Sequence, residues 1–279
     1  MADIITTDIG EFKLGCNVPA SFPTRAKTYA DIVDKMLTVD QVKAELQKNP
    51  TQDGFWNRRK RYAGSKFIRN QGPYGACNGF STAAGLSRHR ELRGEPYVCL
   101  SGADAYSQMN GGQDNGSTLS DGMIVFERGI APESLVPYNQ IYISQISSEA
   151  KASRARFAGT VAYPIDSEDE LATACILGRL VIVAVNANNA FMNEDGDGLN
   201  QGSNGVGNHS TLIQDVRLGR DGNIWYDMAN SWDVSYCQGG YTWLSFSKHL
   251  RQTIQNHRFW VIVDSKDDAG DNSNPPVAD

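Results

Sequence analysis

The stretch Asn70-Gln-Gly-Pro-Tyr-Gly-Ala-Cys77-Asn-Gly-Phe-Ser81 sets a loop directly against a helix whose first residue is a cysteine. Pro73 and the glycines at 72 and 75 keep the first part out of regular structure. From Cys77 to Leu92, Phe80, Ala83, Ala84 and Ser87 recur at helical spacing until Gly94 and Pro96 end the run. A cysteine at such a junction meets unpaired N–H groups and the positive end of the helix dipole, which favour its thiolate and lower its pKa. The glycines let the backbone pass close to a bound chain, and the Cys77 amide points to where an acyl oxyanion forms. Gln71, six residues earlier, supplies a second donor. Cys77 therefore reads as a nucleophile. Cys16, Cys99, Cys175 and Cys237 lie in the N-terminal extension, beside aromatic segments or on an apolar helix face, and read as structural thiols. Five cysteines without a CxxC pair fit neither a complete disulfide framework nor a zinc ribbon.

A thiolate needs a base, and the chain has four histidines. His89 is twelve residues along the same helix, roughly 18 Å away at 1.5 Å per residue. His249 and His257 lie in a polar stretch and read as solvated surface. His209 follows a Gly/Asn-rich loop and opens a predicted strand, 132 residues after Cys77. The strands His209–Leu218 and Asn223–Asn230 flank Gly219-Arg-Asp-Gly222, a hairpin signal that returns Asn230 to the side of His209. Asn230 would then accept the second ring N–H and hold the imidazole in place.

Working outward, Tyr29–Leu37 has a helical apolar face, and Thr38 with Gln41 caps a second helix that stops at Asn49-Pro50. Ser117–Arg128 is a further helix, with Leu119, Met123 and Phe126 inward and Gly129 as its C-terminal cap. Ser167 to Glu170 forms a capping box ahead of Leu171, Ala174 and Cys175. Leu180–Val185, Gly240–Phe246 and Arg258–Val263 read as strands. Helices precede strands, so the fold class is α+β. The 26 basic and 32 acidic side chains leave a net charge of −6, which argues against a non-specific nucleic-acid binder. No apolar run approaches the roughly 18 residues of a membrane span. The opening MADIITTDIGEF lacks a basic region and an apolar core, so no signal peptide is expected, and the expected location is the cytoplasm or a protein assembly.

These motifs together resemble those of papain-like cysteine peptidases. Gln71 to Ser81 resembles the nucleophile motif and Ala229-Asn-Ser-Trp232 the Asn-Ser-Trp motif, in the order Cys, His, Asn. Asp114-Asn-Gly-Ser117 through Gly129-Ile-Ala-Pro-Glu-Ser-Leu-Val-Pro-Tyr138, then Gly239-Gly-Tyr-Thr-Trp243, and an early Trp56, extend the resemblance over about residues 54–263. It implies a two-lobed fold, with a helical lobe (about 54–155), an antiparallel β-barrel-like lobe (156–263) and the active-site cleft between them. A 1–53 extension without a prosegment signature and an acidic tail (264–279) flank this domain. Cys77 then corresponds to the nucleophile, His209 to the general base and acid, Asn230 to the residue orienting His209, and Gln71 to the oxyanion donor. Trp232 corresponds to the indole shielding the Asn–His bond and adjoins the substrate site. Asn110-Gly111-Gly112 resembles the glycine pair that binds substrate backbone, with Gly116-Ser117 the competing alignment.

The departures are Tyr74 where the family usually has a disulfide-forming cysteine, Asn78 in place of tryptophan after the nucleophile, and Asp233 where glycine commonly follows the Asn-Ser-Trp motif. The implied activity is endopeptidase cleavage of a polypeptide substrate through a thioester, with no metal or organic cofactor, no nucleic acid and no membrane. Protein partners are expected to hold the two terminal segments. A structural subunit of a large assembly such as a virus-like particle, or a non-proteolytic amide hydrolase or acyl transferase, are the alternative readings. A divergent bacterial- or phage-type member is expected. Arg58–Arg61 reads as a solvated basic surface, and Asn193-Glu-Asp-Gly-Asp-Gly198 as a polar loop rather than a calcium site, since its twelfth position is Asn204.

Overall fold

The computed structural model describes residues 4–22 and 27–264, so the tail beyond Asp264 lies outside the described residues. A hairpin of β1 (Ile4–Thr7) and β2 (Gly10–Lys13) comes first, followed by a single turn at Tyr29–Asp31 and by α1 (Val39–Lys48). Next come α2 (Arg58–Arg61), α3 (Cys77–Leu92), α4 (Gly102–Ser107), α5 (Leu119–Arg128) and α6 (Ser148–Ser153). The second half contains β3 (Val161–Ile165), α7 (Glu168–Ile176), β4 (Val181–Val185), β5 (His209–Leu218), β6 (Ile224–Ala229), β7 (Tyr241–Ser245), α8 (Thr253–His257) and β8 (Phe259–Val263). The strands from β3 onward make one six-stranded antiparallel sheet in the order β3-β8-β4-β5-β6-β7. Helices thus largely precede an antiparallel sheet, the α+β arrangement expected from the sequence.

The N-terminal region is tied down by caps and by backbone groups that dock elsewhere. Thr38 accepts from the Gln41 amide, and Gln41 accepts from the Thr38 amide, so α1 starts where the sequence predicts. The helix expected over Tyr29–Leu37 shrinks to a turn. Its far end is drawn instead to α7, where the Leu37 N–H donates to Thr173 Oγ1 (3.0 Å) and the Val39 N–H to Asp169 (2.7 Å). A partner outside the segment thus satisfies the Leu37 amide that a helix would have satisfied within it.

α3 is the pivot of the molecule. Nearly every residue from Cys77 to His89 is buried, because α4 and α5 pack on one side and the sheet on the other. Two glycines permit the close approach: a Cβ on Gly79 would lie 2.4 Å from the Gly102 carbonyl oxygen, and one on Gly85 2.6 Å from Ile262 Cδ1. The start of α3 is therefore wedged at the junction between helices and sheet.

The β5–β6 register shifts between Ile213 and Asp215, and this bulge buries two successive polar residues, Gln214 and Asp215. Asp215 accepts the amides of Trp56 and Arg58 at 2.9 Å each. The Arg58 guanidinium donates to the carbonyls of Gln214 (2.5 Å) and Gly178 (2.6 Å), while Arg59 pairs with buried Asp227 at 2.6 Å. Within the basic run read as solvated surface, Lys60 and Arg61 are exposed, but Arg58 and Arg59 are a clamp from the helical half onto the sheet. Only 2% of Arg58 is exposed. Burial raises the Asp215 carboxyl to about 6 against the opposing pull of Arg58.

Candidate active site

Three elements converge on Cys77. It is the first residue of α3, His209 is the first residue of β5, and Asn230 follows the last residue of β6. Antiparallel pairing returns Asn230 to His209, and Asn230 Oδ1 lies 2.7 Å from His209 Nε2. The same oxygen accepts the Ser231 N–H at 2.8 Å, which fixes which way the amide points. Trp232 stacks on the imidazole with ring centres 4.3 Å apart, excluding water from the Asn–His bond. With Nε2 committed, Nδ1 is the nitrogen left to exchange protons, and among the described residues it has no hydrogen-bond partner. The Ser210 N–H, next along β5, reaches the Cys77 sulfur. Gln71 is equally fixed: its Oε1 accepts from Ser231 Oγ (2.7 Å) and its Nε2 donates to the Tyr74 carbonyl (2.8 Å).

The chain's own N-terminal segment occupies this site. Residues 12–17, which we call the strap, run from β2 across the cleft. Phe12 stacks on Trp232 at 5.0 Å, and the Lys13 carbonyl takes a second hydrogen bond from Gln71 Nε2 at 3.2 Å. Beyond it the strap pairs as a strand. The Ser117 N–H donates to the Gly15 carbonyl (2.8 Å), the Asn17 N–H to the Ser117 carbonyl (2.9 Å), and the Cys16 N–H to the carbonyl of Asn208, the residue before His209 (3.0 Å). The pairing with Ser117 is parallel. The Gly15 N–H is among the backbone donors that act on the buried Cys77 thiol. The strap thus covers the nucleophile, which is fully buried beneath it.

The electrostatics follow from this cover. Cys77 is completely buried, and burial pushes its thiol pKa up; the N–H groups of Ser210, Gly15, Asn78 and Cys77 itself pull the other way without overcoming it. The thiolate expected at the helix start is thus suppressed by desolvation. Burial also pushes His209 down to about 4, against its bond to Asn230. Near neutral pH the pair is thiol and neutral imidazole, an idle state.

The structure thus brings together Cys77, His209, Asn230, Gln71 and Trp232. It does not bring Gly111 and Gly112 to the strap. No heavy atom lies within 4 Å of a Cβ built on either, whereas one built on Gly116 would lie 2.3 Å from the Gly15 carbonyl oxygen, and Ser117 makes the pairing. In this structure the backbone that receives a chain is therefore Gly116-Ser117, the competing alignment. Asn78 supports it, donating to the Thr118 carbonyl (2.6 Å) and Ser117 Oγ (3.1 Å), a role that neither its helical position nor its side chain signals in sequence. Asp114 was also missed. It accepts the Gly75 N–H and the Tyr106 hydroxyl, each at 2.9 Å, and so ties down the turn that carries Tyr74. Asp233 sits at φ +75°, a conformation glycine adopts freely, and its side chain caps Ser235.

Two sequence expectations fail outright. His249 and His257 are buried rather than solvated, bonded to the carbonyl of Asn200 (3.0 Å) and that of Gly207 (3.1 Å) respectively. Their polar neighbours in sequence hid their inward faces. All five cysteines are free thiols. Among the described residues no cluster of three His, Cys, Asp or Glu side chains offers a metal site, and Asp195 and Asp197 of the calcium-like loop pair with Arg220. No described helix is long and apolar enough to cross a membrane.

Comparison with known proteins agrees with this geometry. The family model described as papain family cysteine protease matches residues 53–262. No curated protein matches the chain. Among solved structures, xylellain, a cysteine protease from Xylella fastidiosa, has a TM-score of 0.56 at 17% identity, covering 71% of this chain and 83% of that one. Digestive procathepsin L 3 of Tenebrio molitor larval midgut scores 0.57 at 17% identity, covering 74% and 68%. The bromelain protease from Ananas comosus, solved with the E64 inhibitor, scores 0.57 at 17% identity, covering 75% and 96%. At such identities the likeness to these structures is one of fold.

Proposed function

Because the chain belongs to the papain family of cysteine proteases, we propose that Cys77, His209 and Asn230 perform its peptidase chemistry and that the strap keeps it latent. The observation that carries this reading is the His209–Asn230 bond beneath Trp232, which leaves Nδ1 without a partner among the described residues, at the start of the strand that packs against α3. Once the strap leaves, water returns to the cleft and both pKa displacements relax. Cys77 then passes its proton to His209 Nδ1, and the resulting ion pair is stabilised by the N-terminus of α3.

Cys77 Sγ attacks the substrate carbonyl, and Gln71 Nε2 with the Cys77 N–H holds the oxyanion. His209 gives its proton to the leaving amine, then takes one from the water that hydrolyses the thioester. Ser117 receives the substrate backbone.

The test is hydrolysis of denatured casein by the full chain with its strap unseated through Gly15→Ala. Adding Cys77→Ala should abolish turnover with the fold retained by circular dichroism. Equal hydrolysis by the Cys77→Ala chain would overturn the assignment.

A further inference from the structure

The strap residue whose carbonyl meets Gln71 is Lys13, and its side chain also finds a partner. Lys13 Nζ lies 2.9 Å from Asp114 Oδ2 and donates in addition to the Asp114 carbonyl. The carboxylate is held rigidly for this contact. Its other oxygen, Oδ1, is used by the Gly75 N–H and by the hydroxyl of fully buried Tyr106, which in turn accepts the Gly116 N–H at 2.9 Å. Gly75 is two residues before the nucleophile, and Gly116 precedes the residue that pairs with the bound chain. The carboxylate is thus locked between two loops of the helical lobe, with its second oxygen and the Asp114 backbone carbonyl turned to Lys13.

We infer that Asp114 determines specificity, selecting substrates that carry lysine or arginine on the residue whose carbonyl is attacked. The inference rests on the peptidase reading above. Two acceptors side by side suit a cation with several N–H donors. A carboxylate in a partly enclosed cleft, with its side chain 17% exposed even beside Lys13, favours a positive side chain over a neutral one of equal length and repels a negative one. Lys13 then acts as an internal stand-in for that residue, filling the subsite in the strapped form.

The experiment uses the full chain carrying Gly15→Ala, which unseats the strap, with Lys13→Ala, which empties the subsite, and three peptidyl acyloxymethyl ketones identical except for lysine, norleucine or glutamate next to the reactive group. Labelling of Cys77 is followed by mass spectrometry. The lysine probe should label about 5–10 times faster than the norleucine probe, the range of a partly exposed charge-assisted contact. Adding Asp114→Asn, which keeps an acceptor for Gly75 and Tyr106, should bring that ratio below about two, and Asp114→Lys should make the glutamate probe the faster. Labelling that proceeds with no preference for lysine would overturn the subsite and leave the peptidase reading standing. A folded chain whose Cys77 reacts with none of the probes would overturn both.

Discussion

A single methyl group on Gly15 should switch the enzyme on. A Cβ there would lie 1.9 Å from the Gly75 carbonyl oxygen and 2.7 Å from Gly75 Cα, and both are backbone atoms that no rotamer change can move. Three main-chain hydrogen bonds hold the strap, each contributing about 1 kcal/mol. Phe12 adds burial of order 2 kcal/mol against Trp232. Gly15→Ala sets against these an overpacking cost of about 1–3 kcal/mol. At 1.4 kcal/mol per factor of ten, the open population should rise about 5- to 150-fold. Alkylation by iodoacetamide, quantified per cysteine by peptide mass spectrometry, reads this directly. Cys77 and Cys16, both buried in the strapped form, should react faster together, while buried Cys175 stays inert. Hydrolysis of fluorogenic casein should rise by the same factor as Cys77 alkylation. An alkylation rate within twofold of the parent chain would refute the strap's role as a cover. So would a rise in which Cys175 reacts in step, because that reports global unfolding.

Other consequences follow from the same geometry. In the Gly15→Ala chain, Asn230→Ala should cut kcat/KM by at least about 10²-fold by freeing the imidazole, and a smaller loss would show that Trp232 alone orients it. Arg58→Met should cost about 3–5 kcal/mol in urea unfolding, because it leaves the buried carbonyls of Gln214 and Gly178 without their donors and Asp215 without its opposing charge, and a loss under 1 kcal/mol would show that the clamp is dispensable.

Acid should destabilise the strapped form. His209 and His249 are held at about 4, below the 6.5 of an exposed imidazole, so their stabilising contribution, up to about 3 kcal/mol each, is lost as pH falls from 6.5 through 4. Asp215, raised to about 6, works the other way: its contribution grows as pH falls over the same window and returns up to about 3 kcal/mol. The net loss of about 3–4 kcal/mol between pH 7 and pH 4 should lower the urea midpoint, and a higher midpoint at pH 4 would contradict the burial of the two histidines.

What could be read in the sequence were the elements whose signals are local. The loop-to-helix junction at Cys77, the Thr38/Gln41 cap and the hairpin from His209 to Asn230 all carry their determinants within a few residues, and the structure has them at those positions. What could not be read depends on distant partners. β3 contains Pro164, a poor strand residue that is accommodated because β3 is an edge strand paired only with β8. Tyr29–Leu37 has a helical pattern, but Thr173 on α7 takes both the amide and the carbonyl of Leu37 at its far end. Gly111 and Gly112 look like a substrate-binding pair, yet only the path of the strap reveals that Gly116-Ser117 faces the nucleophile. The suppressed thiolate is of the same kind: helix position predicts activation, and a segment sixty residues upstream reverses it.

The strap is joined to the body by the covalent chain, and Tyr29, about a dozen residues beyond Asn17, is already buried. An unseated strap therefore stays near the cleft at an effective concentration on the order of millimolar, whatever the concentration of enzyme. A peptide substrate has to compete with that local excess, so raising substrate alone recruits activity only slowly. Cutting the tether between Asn17 and Tyr29 removes the advantage at once, because rebinding then becomes bimolecular and dilution alone keeps the cleft open.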